Sequence, residues 1–205
     1  MQLILASKSP RRRSLLKTLG LPFRVVPSYV PEHSQERRPE KLVQELALRK
    51  ARAVAQKVKQ GMILGADTVV VLGGEILGQP KDADDAYRML FRLSGTTHRV
   101  YTGVALVDTA RRTSKVAFAV STVRMKPLSI DTLLRLSHKN LDKAGAYAIQ
   151  NQHDPIARVV KGDYDNVVGL PLAVVKRMLK FYRRAAIGEP RLRREKTLPR
   201  RRIPS

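Results

Sequence analysis

The chain has 205 residues, 43% of them hydrophobic, enough for one sizeable packed core, and 40 Lys and Arg against 17 Asp and Glu give a formal charge of +23. The absence of cysteine excludes disulfides, thiolate metal sites and cysteine nucleophiles. No run reaches the roughly 20 apolar residues of a membrane span, and the charge favours polyanionic partners such as nucleic acid, anionic lipid or nucleotides.

At the N-terminus, MQLILASKSPRRR sets its apolar run before its basic residues, the reverse of a secretory signal, so a cytoplasmic location is expected. QLILA predicts a strand and PRRRSLLKTLG a short helix, with Ser9 as N-cap, Pro10 in the first helical position and Gly20 as the stop. The segment from Pro39 to about Gln60 predicts a long helix carrying Leu42, Val43, Leu46, Val54 and Val58 near one face. MILGADTVVVL, Gly73-Gly74 and EILG predict a strand and hairpin. Asp82 or Asp84 is placed to cap a helix that runs through Leu93. HRVYTGVALVD and SKVAFAVSTVRM predict two β-rich runs, a helix follows Ser129, and GLPLAVVKRMLKFYRR predicts a last helix. Alternating strands and helices indicate an α/β fold. Residues 188–205, GEPRLRREKTLPRRRIPS, have almost no apolar content and are expected to form a disordered basic tail able to bind polyanions weakly, leaving 1–187 as the domain.

Three features conflict with simple folding. Arg11 and Arg12 occupy the first turn of the first helix, where free amides and the helix dipole already concentrate positive charge. Either they point into water, or Ser7, Ser9, the amides and the guanidinium groups cradle a bound phosphate chain. Asp67 interrupts a run apolar enough to be buried on both faces, so it must meet a cation, a metal or several donors, as a structural carboxylate or as a general base or metal ligand. Lys50 lies within the apolar stripe of the second helix, either snorkelling at its edge or reaching into an anion-binding cleft.

LASKSPRRRSLL, GADTVVVL, GQPKDADDAYRMLFRLSG, AGAYAIQ and GDYDNVVGLPL occur in the order and spacing of the Maf family, and the resemblance spans residues 2 to 184. It implies a two-lobed α/β fold, with an extended mixed sheet flanked by helices and a central cleft. The implied activity is hydrolysis of a nucleoside triphosphate to the monophosphate and pyrophosphate with Mg²⁺ or Mn²⁺, in a protein that is often a homodimer. By similarity Asp67 is the proton acceptor, Lys50 and Glu32 act with it, and Glu32 and Asp67 hold the metal. Ser7, Arg11, Arg12, Thr68 and Gln150 bind substrate. Arg11, Thr68 and Gln150 match the branch that prefers dTTP and UTP over 7-methyl-GTP; the amide of Gln150 complements the N3–H and carbonyls of a neutral pyrimidine. Where the family usually has lysine this chain has Gln79, and Lys81 stands in as the phosphate contact.

Simpler roles suffice for other polar residues. His33, His98, His138 and His153 lack metal-ligand spacing, Asp82, Asp84 and Asp85 are caps and first-turn acids, and Asp163 and Asp165 belong to a structural turn. The alternative to an enzyme is a nucleic-acid-associated or septum-regulating binding protein on the same fold, favoured by the basic runs. Asp67 opposes it, because a pure binder has no use for a buried carboxylate beside a phosphate site.

Overall fold

A computed structural model describes residues 2–149 and 155–187 of the chain. Seven strands form one mixed sheet: β1 (Leu3–Leu5), β2 (Phe23–Val25), β3 (Met62–Leu72), β4 (Glu75–Leu77), β5 (Thr97–Asp108), β6 (Thr113–Met125) and β7 (Ala157–Lys161), in the order β2-β1-β3-β5-β6-β7 with β4 beside β3. Six helices flank it: α1 (Pro10–Lys17), α2 (Pro39–Ala55), α3 (Ala83–Leu93), α4 (Ile130–Ser137), α5 (Tyr164–Val168) and α6 (Leu172–Ile187). A 3₁₀ turn covers Ala144–Ala146.

The helix boundaries follow from capping. Ser9 Oγ accepts from the Arg12 amide at the start of α1, and Ser129 does the same for Thr132 in α4. Asp82 caps α3 through the Asp85 amide, while the Asp85 carboxylate accepts from the Lys81 amide, so two otherwise orphaned donors are satisfied reciprocally. The first helix ends at Lys17, and the chain turns through Gly20 at φ +65°. The second helix stops at Ala55 rather than about Gln60, because the chain must turn back at once to enter β3 beside β1. The proposed tail 188–205 lies outside the described residues.

Period-2 alternation along β3 sorts the core. Met62, Leu64 and Ala66 join α1 and α6 residues in one cluster, and Ile63 joins β1 and α2 residues in another. Farther along, Val70 joins α3, α4 and the 3₁₀ turn, while Val69 and Val71 pack on α2. The second helix presses so closely on the sheet that a Cβ at Gly65 would meet the Ala47 carbonyl and one at Gly103 the Val43 carbonyl. Those two contacts fix α2 against β3 and β5.

The functional consequence lies in the edges of β3. Its partner β5 occupies one edge from Met62 to Val71. The other edge is shared, because β1 pairs with Met62–Leu64 and β4 with Val70–Leu72. Over residues 65–69 no strand pairs with that edge, and there the cleft between the two lobes opens.

Candidate active site

Asp67 and Thr68 stand in that gap and point to opposite faces of the sheet. Asp67 faces α2 and is 4% exposed. Lys50, 7% exposed in the middle of the apolar stripe, places its Nζ 2.7 Å from Asp67 Oδ1 and 2.8 Å from Glu32 Oε1. One ammonium therefore serves two carboxylates, the first buried and the second half exposed. Burial raises the Asp67 pKa above the ordinary carboxylate value; Lys50 and then Arg12 draw it part of the way back, and the Glu32 charge adds to the rise. Glu32 lies on the loop before α2, whose carbonyls at Pro31 and His33 each accept from Arg49 Nη1 at 2.8 Å.

On the other face, Thr68 belongs to a relay. Arg12 donates from Nε to the Gly169 carbonyl at 2.8 Å and from Nη2 to Thr68 Oγ1 at 3.0 Å. Thr102 donates to the Asn166 carbonyl, so its oxygen is left to accept from Thr68, 3.0 Å away. The Thr68 hydroxyl hydrogen is thus committed within the protein, and Thr68 can offer a ligand only acceptor capacity. Burial lowers the Arg12 pKa and the Asp67 and Glu32 charges oppose that, so the guanidinium remains a fixed positive charge under the gap. Gly169, at φ +114° with a hypothetical Cβ 3.3 Å from Arg12 Nε, is the residue type that lets the backbone come this close.

The N-terminus of α1 borders the same opening, with buried Ser7 accepting from the Ser9 amide and no acidic residue in the first turn. Together these elements line a cleft of about 780 Å³, within the range of small-molecule sites. Of the residues expected from the sequence, Ser7, Arg11, Arg12, Glu32, Lys50, Asp67 and Thr68 converge on it. Lys81 does not line it: its side chain is exposed at the start of α3, whereas Gln79 does face the cleft. Gln150 lies outside the described residues.

Several contributors gave no signal in the sequence. Asp142, from the opposite lobe, accepts from Arg11 Nη1 across the mouth at 3.1 Å and from its neighbour Lys143 Nζ at 2.6 Å. Asn166, fully buried, donates to the Val100 carbonyl and to Ser121 Oγ, fixing α5 against the sheet. Asp165 accepts from the Leu172 amide at the start of α6, the structural part expected of it. His98 is buried, with its Nε2 2.7 Å from the Tyr147 hydroxyl. Among the described residues no group of three or more His, Asp or Glu converges. Glu32 and Asp67, brought together on one ammonium, nonetheless suit a hard divalent ion of the Mg²⁺ type, which needs only one or two protein carboxylates when phosphate oxygens and water complete its shell.

A family description of Maf-like proteins matches residues 2–182. A dTTP/UTP pyrophosphatase of Symbiobacterium thermophilum is 48% identical over 181 residues, covering 87% of this chain and 92% of that protein. Another, from Thermoanaerobacter sp. (strain X514), is 44% identical over 183 residues, covering 88% of this chain and 96% of that protein. Among solved structures, the Staphylococcus aureus Ham1 protein has a TM-score of 0.55 at 14% identity, over 89% of this chain and 100% of that one, a likeness of fold.

Proposed function

The chain belongs to the Maf-like protein family, and from that premise we propose that it is a nucleoside triphosphate pyrophosphatase that hydrolyses dTTP and UTP to the monophosphate and pyrophosphate. The observation that carries this reading is a buried carboxylate of raised pKa, Asp67, set in the unpaired stretch of β3 among the cations of an open cleft. The names of the relatives support the pyrimidine substrates.

A triphosphate is held by charge and by position. The α1 amides, Ser7 and Arg11 face the phosphate chain, and Arg12 supplies a positive charge from beneath. Asp67 takes a proton from water attacking at the α–β anhydride linkage; the water oxygen stays on phosphorus, and the bridging oxygen leaves with its electron pair as part of pyrophosphate. Burial suits the carboxylate to this task by raising its proton affinity, while the Lys50 ammonium favours its ionised form. A divalent cation held by Glu32, Asp67 and the phosphate oxygens would supply charge neutralisation. Arg11, Thr68 and Gln150 are assigned to base selection, Thr68 as an acceptor. A cytoplasmic location, expected from the N-terminal sequence, and a homodimer, implied by the family resemblance, belong to the same proposal; fractionation and sedimentation test them.

The test is pyrophosphate release from dTTP, UTP, CTP, dATP, GTP and 7-methyl-GTP with Mg²⁺ or Mn²⁺, wild type against Asp67→Asn. Release from dTTP and UTP, lowered about 10²-fold or more by the substitution, is expected. Release from 7-methyl-GTP alone would overturn the pyrimidine assignment, and no release from any nucleotide would overturn the activity.

A further inference from the structure

Among the described residues, the cations lining the cleft are Lys8, Arg11, Arg12, Lys50 and Lys143. Lys50 is held between two carboxylates, and Arg12 between the Gly169 carbonyl and Thr68. Arg11 and Lys143 differ from these, because the acceptor they share, Asp142, is a side chain 62% exposed to water, while their own side chains are 24% and 16% exposed.

The backbone carrying Lys143 is fixed. The Lys143 amide donates to the Asn140 carbonyl and the Gly145 amide to the Gly78 carbonyl, each near 3.0 Å. Gly145 and Ala146 follow at φ +70° and +60°, left-handed conformations that only a firmly held segment imposes on an alanine. Lys143 is therefore presented to the cleft by a rigid turn.

We propose that Lys143 is a further phosphate-binding residue of the cleft, and that Asp142 is its internal stand-in, a carboxylate that holds Arg11 and Lys143 until the phosphates of the nucleotide, or free pyrophosphate, displace it. This rests on the reading of the cleft as a triphosphate site. The exchange is physically inexpensive, since an exposed ion pair is weak and the released carboxylate returns to water. A phosphate group brings more charge and more acceptor oxygens to the same two cations. Partial burial raises the Asp142 pKa, but hydrogen bonds from Lys143 and Arg11 more than reverse this and leave it below the ordinary carboxylate value. Asp142 therefore stays ionised and yields to a competing anion, not to protonation. With Gln79 neutral and Lys81 outside the cleft, Lys143 adds positive charge to the cleft on the side of the 3₁₀ turn.

Titration calorimetry with inorganic pyrophosphate on the full chain, free of nucleotide, tests the exchange with Asp142→Asn, Lys143→Gln and the double variant. Lys143→Gln should raise the Kd and Asp142→Asn should lower it, each about two- to fivefold, the range spanned by exposed ion pairs. The double variant should bind more tightly than Lys143→Gln alone, because Arg11 is then also released from Asp142, and KM for dTTP should move with Kd. If Asp142 only positions Arg11, Asp142→Asn weakens binding instead, which overturns the proposal. So does an unchanged Kd in Lys143→Gln, or a wild type that does not bind pyrophosphate. Because calorimetry needs no turnover, the expected shifts in a protein that hydrolyses no nucleotide would sink the proposed activity and leave this exchange standing.

Discussion

Lys50→Met removes the ammonium and keeps most of the stem, leaving Asp67 buried with its nearest cation gone. Two limits bracket the cost. If the carboxylate stayed charged, breaking a buried pair would cost about 3–5 kcal/mol. Protonation provides a way out whose cost depends on pH: at about 1.4 kcal/mol per unit from an ordinary value near 4, it costs about 4 kcal/mol near pH 7 and about 1.5 kcal/mol near pH 5. Burial raises the folded-state pKa above the unfolded one, so the folded protein binds the extra proton between the two values. Stability therefore falls as pH rises through that window and is flat above it. Removing Lys50 widens the window upward. Urea unfolding should find Lys50→Met destabilised by about 3–4 kcal/mol near pH 7 and about 1–2 kcal/mol near pH 5. Adding Asp67→Asn should recover most of the loss, since the buried carboxylate is then no longer left without its ammonium partner. A penalty below about 1 kcal/mol near pH 7, or one equal at both pH values, would refute a desolvated Lys50–Asp67 pair.

Arg12→Ala strips donors from the Gly169 carbonyl and Thr68, and should cost about 1–3 kcal/mol in thermal unfolding while lowering kcat/KM for dTTP; exposed Arg13→Ala should stay within about 0.5 kcal/mol, and equal effects would contradict the assignment. Gly103→Ala drives a methyl group into the Val43 carbonyl and should cost about 3 kcal/mol by calorimetry, whereas a loss below about 1 kcal/mol would disprove the close packing of α2 on β5. Burial presses the His98 pKa down to about 4, so the unfolded chain takes up its proton first on acidification. Stability due to His98 is complete above about pH 6.5 and falls as pH drops toward the folded value, by up to about 1.4 kcal/mol per unit. Unfolding measured across that range should show a shallower acid loss in His98→Phe than in wild type.

Elements governed by local chemistry were legible in the sequence. Ser9, Asp82 and Ser129 start helices by accepting from the amide three residues on, and Pro10 by its fixed φ in the first helical position; an expectation of that kind needs no knowledge of the fold. The shared edge of β3 was not legible, because it depends on the register of β1 and β4 against one strand, a long-range outcome that neither short strand encodes by itself. The Arg11–Asp142 pair joins residues 131 apart, and Asp142 looks in sequence like any exposed loop carboxylate. Lys81 was a reasonable substitute for Gln79 by proximity, but Asp82 starts α3 immediately after it and the side chain is exposed outside the cleft.

Asp67 and Lys50 were each ambiguous for the same reason: a charge inside an apolar pattern can be a structural curiosity or a functional group. The structure brings the two together, each the other's counterion across α2 and β3. Stability does not account for the pair, since well-packed apolar residues in place of a buried ion pair are commonly neutral or stabilising. A purely structural pair would also gain nothing from its location. Yet it lies at the one stretch of β3 that neither β1 nor β4 covers, beside the acid-free N-terminus of α1 and within reach of a second carboxylate, Glu32. A strand that sets a charged pair where its own edge is left open exchanges sheet hydrogen bonds for access. That exchange is useful to a protein that must bring a polyanion and a water molecule to a buried carboxylate, and it is a liability to one that only binds.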